Sequence, residues 1–317
     1  MSATPVSRTA SPLPAGAQRG EAERSNKLGE RSWTVLELLR WTTEHFASKG
    51  IETPRLDAEL LLAFALGCDR LRLYVEFEKP VTHEERGAFR ALVRRRAEER
   101  VPVAYLTGVR EFWSLPLAVT PDVLIPRPDT ETLVDAVLAR LPGREAELAV
   151  LDLGTGSGAI ALALARELPR AQLTASDLST AALAVARKNA EALGLAERVR
   201  FVCGDGFAPV AGERFDVIVS NPPYVAEADA AGLAPELRHE PALALFAPGD
   251  GTALLRRIAK EARPRLLPGG LLALELAPAQ AGDVTQCLAA AGLGEIVEHR
   301  DLAGRVRALS AIRRGGE

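Results

Sequence analysis

Three carboxylates and a run of alternating glycines stand where a nucleoside-bearing ligand could be held. Asp152-Leu-Gly154-Thr155-Gly156-Ser157-Gly158 follows a short apolar run and precedes a helical one. Glycines there let the backbone turn sharply, approach a ligand closely and aim N–H groups at it. A plain strand-to-helix turn needs fewer than three alternate glycines. A dinucleotide site is the sharper rival, since Gly154, Gly156 and Ala159 satisfy G-x-G-x-x-A. Asp152 weighs against it: a carboxylate beside a pyrophosphate repels, whereas beside an ammonium or sulfonium it attracts. S-adenosylmethionine carries both of those cations and no phosphate. Asp177, nineteen residues after Gly158, ends the next apolar run, where a carboxylate accepts both ribose hydroxyls. Asp205, in Cys203-Gly-Asp205-Gly206-Phe207, comes after the third and is placed to take an adenine amino group. Alone, Asp177 reads as a helix N-cap and Asp205 as an Asx-turn. Three acids at three successive strand ends instead open onto one edge of a sheet, which favours S-adenosylmethionine over a dinucleotide.

A second constellation could do the chemistry. Phe215-Asp-Val-Ile-Val-Ser220 is a buried-strand run that stops at Asn221-Pro222-Pro223-Tyr224. Two prolines end a strand and stiffen the chain beyond it, which by itself means only a rigid turn. Asn221 adds an amide C=O, and Pro222 a backbone C=O with no N–H of its own. Such a pair of acceptors matches the two hydrogens of a planar –NH₂: the exocyclic amine of adenine or guanine, or the side-chain amide of glutamine. These nitrogens are poor nucleophiles because the lone pair is delocalised. Two hydrogen bonds fix the nitrogen and favour its tetrahedral, more nucleophilic form. Holding it in line with a methyl sulfonium supplies an orientation contribution of ~7 kcal/mol or more. No strong general base is needed, because the proton leaves readily once positive charge develops. Tyr224 is expected to pack on the flat acceptor with its aromatic face near the cationic centre. Glycine loop, spaced acids and tetrapeptide together point to methyl transfer onto an amino group.

Hydrophobic periodicity places the supporting framework. From about Thr130 the chain alternates short apolar runs with helical ones. Strands are expected at 149–153, 172–176, 200–203, 215–220 and 271–276, with helices at 159–167 and 179–193. This rhythm predicts an α/β fold, a doubly wound parallel sheet with helices on both faces. Upstream, Leu36, Leu39 and Phe46, then Leu56, Leu60, Ala63 and Phe64, recur at helical spacing, and Thr82 with Glu85 forms a capping box. A small helical bundle is expected there, without strands. Between the two, Pro102, Pro116, Pro121, Pro126 and Pro128 exclude helix, and 111–119 reads as a hairpin.

Composition excludes several classes. The 317 residues are 47% hydrophobic and 26% charged, ordinary globular values with room for two domains. A formal charge of −3 is the wrong sign for bulk nucleic-acid binding. Three dispersed cysteines and four histidines offer neither a disulfide framework nor a metal set, and a reducing cytoplasm is the default. No apolar run is long enough to span a membrane. Residues 1–31 lack a secretory signal and are expected to be a disordered extension.

With these motifs in place, the chain resembles the HemK/PrmC-type protein-(glutamine-N5) methyltransferases across almost all of residues 33–313. The match is carried by Pro102-Val-Ala-Tyr-Leu-Thr-Gly108, Arg110-Glu-Phe-Trp113, Leu124-Ile-Pro-Arg-Pro-Asp-Thr-Glu131, Asp152 through Ala159, Ser220-Asn-Pro-Pro-Tyr224, His239-Glu-Pro241 and Gly249-Asp-Gly251. The resemblance implies a seven-stranded, mostly parallel, Rossmann-like methyltransferase sheet over 130–317, a linking hairpin over 106–129 and a helical substrate-recognition domain over 32–105. It implies S-adenosyl-L-methionine at Gly154, Thr155, Gly156, Ser157, Gly158, Asp177, Asp205, Gly206 and Asn221. It implies the substrate glutamine at Asn221, Pro222, Pro223 and Tyr224, with Asn221, Pro222 and Tyr224 catalytic and no metal. The expected acceptor is the Gly-Gly-Gln glutamine of class 1 peptide chain release factors, modified by a cytoplasmic monomer with no stable nucleic-acid binding. A ribosomal-protein glutamine, or adenine or guanine in nucleic acid, are the alternatives; a dinucleotide-dependent oxidoreductase or a non-catalytic binder is the rival from another class. Two departures stand out: Gly206 where relatives often carry a large side chain, and Ala277 in place of a glycine. Phe112 and Trp113 read as either hinge packing or cofactor contacts, and Arg127 as either a substrate contact or a salt bridge. Arg94-Arg95-Arg96 reads as a solvated helix face.

Overall fold

A computed structural model describes residues 32–315; the expectation for residues 1–31 lies outside them. The chain forms two compact units that divide between Val93 and Arg94. In the first, β1 (Trp33–Thr34) leads into α1 (Val35–Ser48). Thr34 Oγ1 accepts the Glu37 N–H at 3.3 Å while Glu37 accepts the Thr34 N–H at 3.0 Å, satisfying two orphan donors at once. α2 (Pro54–Leu66) starts with proline in its first turn and stops at left-handed Gly67, and α3 (Arg70–Val75) is capped by Asp69. β2 (Pro80–Val81) pairs antiparallel with β1, a two-residue bridge too short to leave a periodic signal. α4 (His83–Ala97) opens with the expected Thr82–Glu85 box at 2.9 and 3.2 Å. Leu39, Phe46, Leu61, Leu62 and Leu73 are fully buried at its core. Each such side chain contributes about 1.5–3 kcal/mol.

The second unit begins with a correction. α5 (Val103–Thr107) forms inside the proline-rich stretch, because Pro102 stands at its N-cap, where a missing N–H costs nothing. The hairpin is present as β3 (Val109–Phe112) and β4 (Leu115–Ala118), antiparallel. Its turn residues Trp113 and Ser114 both take positive φ, at 52° and 56°, as a two-residue mirror-image turn requires. The Trp113 backbone N–H donates to Glu131 and its ring Nε1–H to Glu167, both at 2.9 Å, which holds that conformation.

The remaining elements alternate: α6 (Glu131–Arg140), β5 (Ala149–Leu153), α7 (Ala159–Glu167), β6 (Gln172–Asp177), α8 (Thr180–Ala192), β7 (Val199–Cys203), β8 (Phe215–Ser220), β9 (Val225–Ala226), α9 (Ala242–Leu245), β10 (Phe246–Ala247), α10 (Ala253–Ala262), β11 (Leu266–Glu275), α11 (Ala281–Ala290), β12 (Leu293–Arg300) and β13 (Val306–Arg313). Seven of the strands make one sheet in the order β12-β13-β11-β8-β5-β6-β7. All pairs are parallel except those of β13, which runs against its neighbours β11 and β12. The fold is thus the expected doubly wound, mostly parallel, Rossmann-like sheet of seven strands. One apolar cluster, including Leu162, Leu164, Val217 and Ala273, covers one face of the sheet. A second, including Leu151, Ile218, Leu272 and Ile258, covers the other. Strand order reverses at β5, so β5 and β8 part at their carboxyl ends. An open α/β sheet leaves its ligand crevice there.

Candidate active site

The cavity at that crevice is lined from each strand end in turn. Leu153, Gly154 and Gly156 come from β5, Ser176 and Asp177 from β6, Gly204, Asp205 and Gly206 from beyond β7, and Ser220, Asn221, Pro222 and Pro223 from β8. Leu124, Leu243, Leu254 and Ile258 add apolar wall. The structure therefore brings together eight of the residues expected at the ligand: Gly154, Gly156, Asp177, Asp205, Gly206, Asn221, Pro222 and Pro223. Thr155, Ser157, Gly158 and Tyr224, also expected there, do not line it. Thr155 Oγ1 turns inward to donate to Asp152 at 2.7 Å. The Ser157 carbonyl accepts Asn189 Nδ2–H at 2.9 Å. Gly158 serves helix packing: a Cβ there would stand 3.1 Å from Leu162 Cδ1 and 3.3 Å from Ala186 Cβ.

The glycine loop differs from expectation in what its N–H groups do. Those of Gly154 and Thr155 donate to the Ser176 carbonyl at 2.8 and 2.9 Å, that of Gly156 to Asp177 Oδ2 at 2.8 Å, and that of Gly158 to the Thr155 carbonyl at 2.9 Å. The N–H groups of Gly154, Thr155, Gly156 and Gly158 are thus engaged within the protein. What the loop offers instead is room: nothing lies within 4 Å of a Cβ built at Gly154 or Gly156. Four of the loop's N–H groups are withdrawn from a phosphate, which weighs against the role that G-x-G-x-x-A suggests.

Asp152 also departs from expectation. It is fully buried behind the loop rather than presented to a ligand, and Oδ2 accepts the Thr155 hydroxyl and, at 3.1 Å, the Ala161 N–H. Burial pushes its carboxyl up to about 7 despite those two bonds. Asp177 links the loop to α8, taking the Gly156 N–H on one oxygen and the Ser179 N–H, at 2.8 Å, on the other. Each oxygen keeps a lone pair for hydroxyls. Both Asp205 oxygens receive Arg257 Nη1 at 2.9 Å. Arg257 also fills the space beside Gly206, its Nη2 standing 2.9 Å from where a Cβ would be. A larger residue at 206 would displace that guanidinium.

At the tetrapeptide, Asn221 Nδ2–H donates to Thr130 Oγ1 at 3.2 Å, so the amide oxygen is left for the cavity. The Ser220 hydroxyl donates to the Leu153 carbonyl at 2.6 Å, tying β8 to β5 immediately before it. The Tyr224 ring packs against the second core cluster and its hydroxyl donates to Glu275 at 3.2 Å. Burial, then the Glu275 charge, raise the phenol above its ordinary value. Gln280 Nε2–H donates to the Tyr224 carbonyl at 3.0 Å, and Gly251 passes so close that a Cβ would meet that oxygen at 2.3 Å. Thr130, Glu275, Gln280 and Gly251 thus support the loop. Sequence reasoning assigned none of them a role, although Thr130 lies in the segment Leu124–Glu131 and Gly251 closes Gly249-Asp-Gly251, both of which carry the family resemblance.

The ambiguous residues resolve. Arg127 makes the salt bridge, to the buried Glu240 at 2.6 Å. Phe112 is core, 1% exposed, and Trp113 packs at the hinge against the same cluster. Arg96 is buried against Glu236 at 2.7 Å rather than solvated. Ala277 sits at φ −74°, where glycine has no advantage. Among the described residues no helix is long and apolar enough to cross a membrane, and no His/Cys/Asp/Glu group could hold a metal.

Residues 37–108 match the PrmC N-terminal domain family and residues 129–250 the methyltransferase small domain family. The release factor glutamine methyltransferase of Rhodopirellula baltica is 47% identical over 296 residues, covering 91% of this chain and 98% of that one. This chain belongs to the release factor glutamine methyltransferase family. The Bordetella pertussis member is 50% identical over 252 residues, 79% of this chain and 92% of its own. The Moorella thermoacetica member is 45% identical over 282 residues, 89% and 99% of the two chains. Among solved structures, the hMettl16 catalytic domain in complex with the MAT2A 3'UTR hairpin 6 superposes with a TM-score of 0.54 at 17% identity, covering 68% of this chain and 81% of that one. That likeness bears on fold alone. In this member of the glutamine methyltransferase family, Gly206 leaves the space over which Arg257 is laid.

Proposed function

We propose that this protein transfers the methyl group of S-adenosylmethionine to the side-chain amide nitrogen (N5) of the Gly-Gly-Gln glutamine in class 1 peptide chain release factors. The observation that carries the reading is the fixed orientation of Asn221. With Nδ2 held by Thr130, the Asn221 oxygen remains to accept, and Asn221 and Pro222 both line the cavity, so their two oxygens would supply the acceptor pair that complements an amide –NH₂. The cavity also fits the methyl donor. Four of its loop N–H groups are engaged within the protein, and Asp177 and Asp205 put two carboxylates at its rim, which suits a cation better than a phosphate. Gly154 and Gly156 would floor the donor, Asp177 would accept the ribose hydroxyls, and Asp205 would face the adenine amino group. S-adenosylmethionine supplies an electrophilic methyl when bound.

The chain's own residues then position the acceptor. Asn221 and Pro222 hold both amide hydrogens, and Pro223 keeps the loop rigid. Tyr224, fixed to Glu275, shapes the entry past which an extended peptide brings its glutamine. Orientation by such fixed dipoles is the main source of acceleration for a weak nucleophile. We assign residues 32–105 to recognition of the release factor and 106–129 to the linker. The enzyme acts in the cytoplasm as a monomer without stable nucleic-acid binding.

Ligand preference and transfer test this together. Titration with S-adenosylmethionine and with NADH, the latter followed by nicotinamide fluorescence, should give saturable binding of the first only. Labelled methyl should then reach unmodified release factor and neither ribosomal protein nor nucleic acid. Binding of NADH in place of the methyl donor would overturn the reading. Transfer to ribosomal protein or nucleic acid alone would keep the chemistry and change the acceptor.

A further inference from the structure

Beyond β4 the chain runs on to Ile125 as an irregular strap, and Asp122, Val123 and Leu124 from this strap form part of the cavity wall. Irregular backbone has no ladder of its own to hold it, so side chains must fix it in place. We propose that Asn189 does so as a positioning residue: its side-chain amide bonds the end of β4 and the glycine loop at once, and thereby sets the wall Asp122–Leu124 against the floor Gly154–Gly156 where S-adenosylmethionine binds. The inference rests on the reading of the cavity as the methyl-donor site.

Asn189 lies on the inner face of α8 and is 2% exposed. Its Oδ1 accepts the Ala118 N–H at 2.7 Å, and Nδ2 donates to the Ala118 carbonyl at 3.0 Å and to the Ser157 carbonyl at 2.9 Å. Both amide hydrogens are used, and a turned-over amide would set its oxygen against carbonyls, so these bonds fix one orientation. Ala118 pairs with Val109 across the hairpin, and on its open side Asn189 supplies the donor and acceptor of an absent strand. Ser157 stands between Gly156 and Gly158, so the same side chain reaches the loop that floors the cavity.

The rest of the strap is held against the same helix. Val119 and Val123 are buried with Ala182 and Val185 of α8. The Tyr105 hydroxyl donates to the Val123 carbonyl at 2.6 Å, and the Ile125 N–H donates to the buried Glu240 at 3.1 Å. Those bonds hold the far end, while Asn189 holds the end that adjoins the glycine loop. Without its amide the Ala118 N–H and carbonyl and the buried Ser157 carbonyl all lose a partner. One unpaired buried group is about tenfold in an equilibrium constant. The arrangement in which wall and floor meet the donor then becomes a smaller part of the population, and apparent affinity falls by that fraction. Asn221 and Pro222, which follow β8, are untouched, so the transfer step itself is unchanged.

The test is steady-state transfer to release factor with S-adenosylmethionine varied. Asn189→Ala should raise KM for S-adenosylmethionine, and its dissociation constant by calorimetry, about tenfold or more, with kcat within about threefold of wild type. A role confined to stability would give the opposite split, because fewer folded molecules lower kcat and leave KM alone. Leu288→Ala, a core truncation in α11 outside the cavity lining, is the control: it should lower Tm and leave both constants at wild type. Asn189→Asp keeps the volume and the acceptor for Ala118 with at most one donor, and should show the same split in smaller degree. In the wild type, S-adenosylmethionine should slow amide hydrogen exchange over residues 118–124, a readout that needs no variant. A dissociation constant within about twofold of wild type for Asn189→Ala, or for Asn189→Asp if the alanine variant does not fold, would overturn the inference alone. So would exchange over 118–124 that is indifferent to the donor. A wild type that does not bind S-adenosylmethionine would overturn the functional reading and the inference with it.

Discussion

Gly251 lies outside the cavity, yet a single methyl there should slow the reaction more than it destabilises the fold. A Cβ at Gly251 would stand 2.3 Å from the Tyr224 carbonyl oxygen and 3.0 Å from Gln280 Nε2. Even attractive carbon–oxygen contacts close no nearer than about 3.3 Å, so the Tyr224 peptide must retreat by about 1 Å. That retreat also stretches the 3.0 Å bond from Gln280 that holds the same carbonyl. The moved peptide comes directly after Asn221-Pro222-Pro223, and the two prolines transmit the shift rather than absorb it. A misplacement of about 1 Å at a reacting centre costs about 10²-fold in rate. Gly249→Ala is the matched control. Gly249 has φ of +68° and Gly251 +80°, so both substitutions carry left-handed strain, but nothing lies within 4 Å of a Cβ at Gly249. The shared strain is about 1–2 kcal/mol, and overpacking adds about 1–3 kcal/mol at Gly251 alone. Thermal denaturation should show Gly249→Ala lower by a few degrees and Gly251→Ala by roughly twice that. Steady-state transfer to release factor should show kcat near wild type for Gly249→Ala and about 10²-fold lower for Gly251→Ala, with S-adenosylmethionine affinity unchanged in both. A Gly251→Ala enzyme turning over within about twofold of its control would show that this contact does not set the loop.

Asn221→Ala should reduce kcat by about 10²–10³-fold, the usual cost of one preorganised hydrogen-bonding group, while isothermal titration finds cofactor affinity intact. Equal loss of both would move Asn221 to the cofactor. Gly156→Ala places a methyl in open cavity space at φ +55°, so cofactor affinity should fall well before release-factor KM changes. An unchanged dissociation constant would show that the loop does not floor the site. The folded Asp152 carboxyl, raised by burial to about 7 from 3.8, holds a proton that the unfolded chain has released between those values. Its contribution to stability is therefore full below about pH 4 and is lost as pH rises through about 7. Urea denaturation from pH 5 to 8 should show a decline of up to about 1.4 kcal/mol per pH unit for that proton, flattened in Asp152→Asn. An identical slope in both proteins would assign the proton elsewhere.

Much of this architecture is written locally. β5, α7 and β8 fall within the runs that periodicity marks, because each is a continuous apolar segment bounded by glycine or proline. The capping box at Thr82 and the hairpin around Trp113 are equally local. Strands β12, at the edge, and β13, beside it, leave no such trace. β12 is interrupted by an irregularity between Gly294 and Val297, with Glu295 at φ 46°, which breaks alternation. β13 is built from Ala308, Ser310 and Ala311 with few β-branched residues. α5 was hidden by the prolines around it, since Pro102 forbids a helix before it and not after. At the site, the strand-end residues were legible because topology gathers them, and so were Asn221 and Pro222. Which N–H groups the loop consumes was not, for that depends on the register between β5 and β6. Nor were the bonds from Asn221 to Thr130 and from Tyr224 to Glu275, which join segments far apart in the chain.

Whether the oriented acceptor pair receives a release-factor glutamine is tested most directly by peptide-level mass spectrometry. Release factor from a methylase-free host would be incubated with this protein and S-adenosylmethionine. The expected product carries a single added methyl, localised by fragmentation to the side-chain nitrogen of the Gly-Gly-Gln glutamine and absent with Asn221→Ala. An unmodified glutamine, with the cofactor demonstrably bound or with the methyl on another residue, would contradict the assignment.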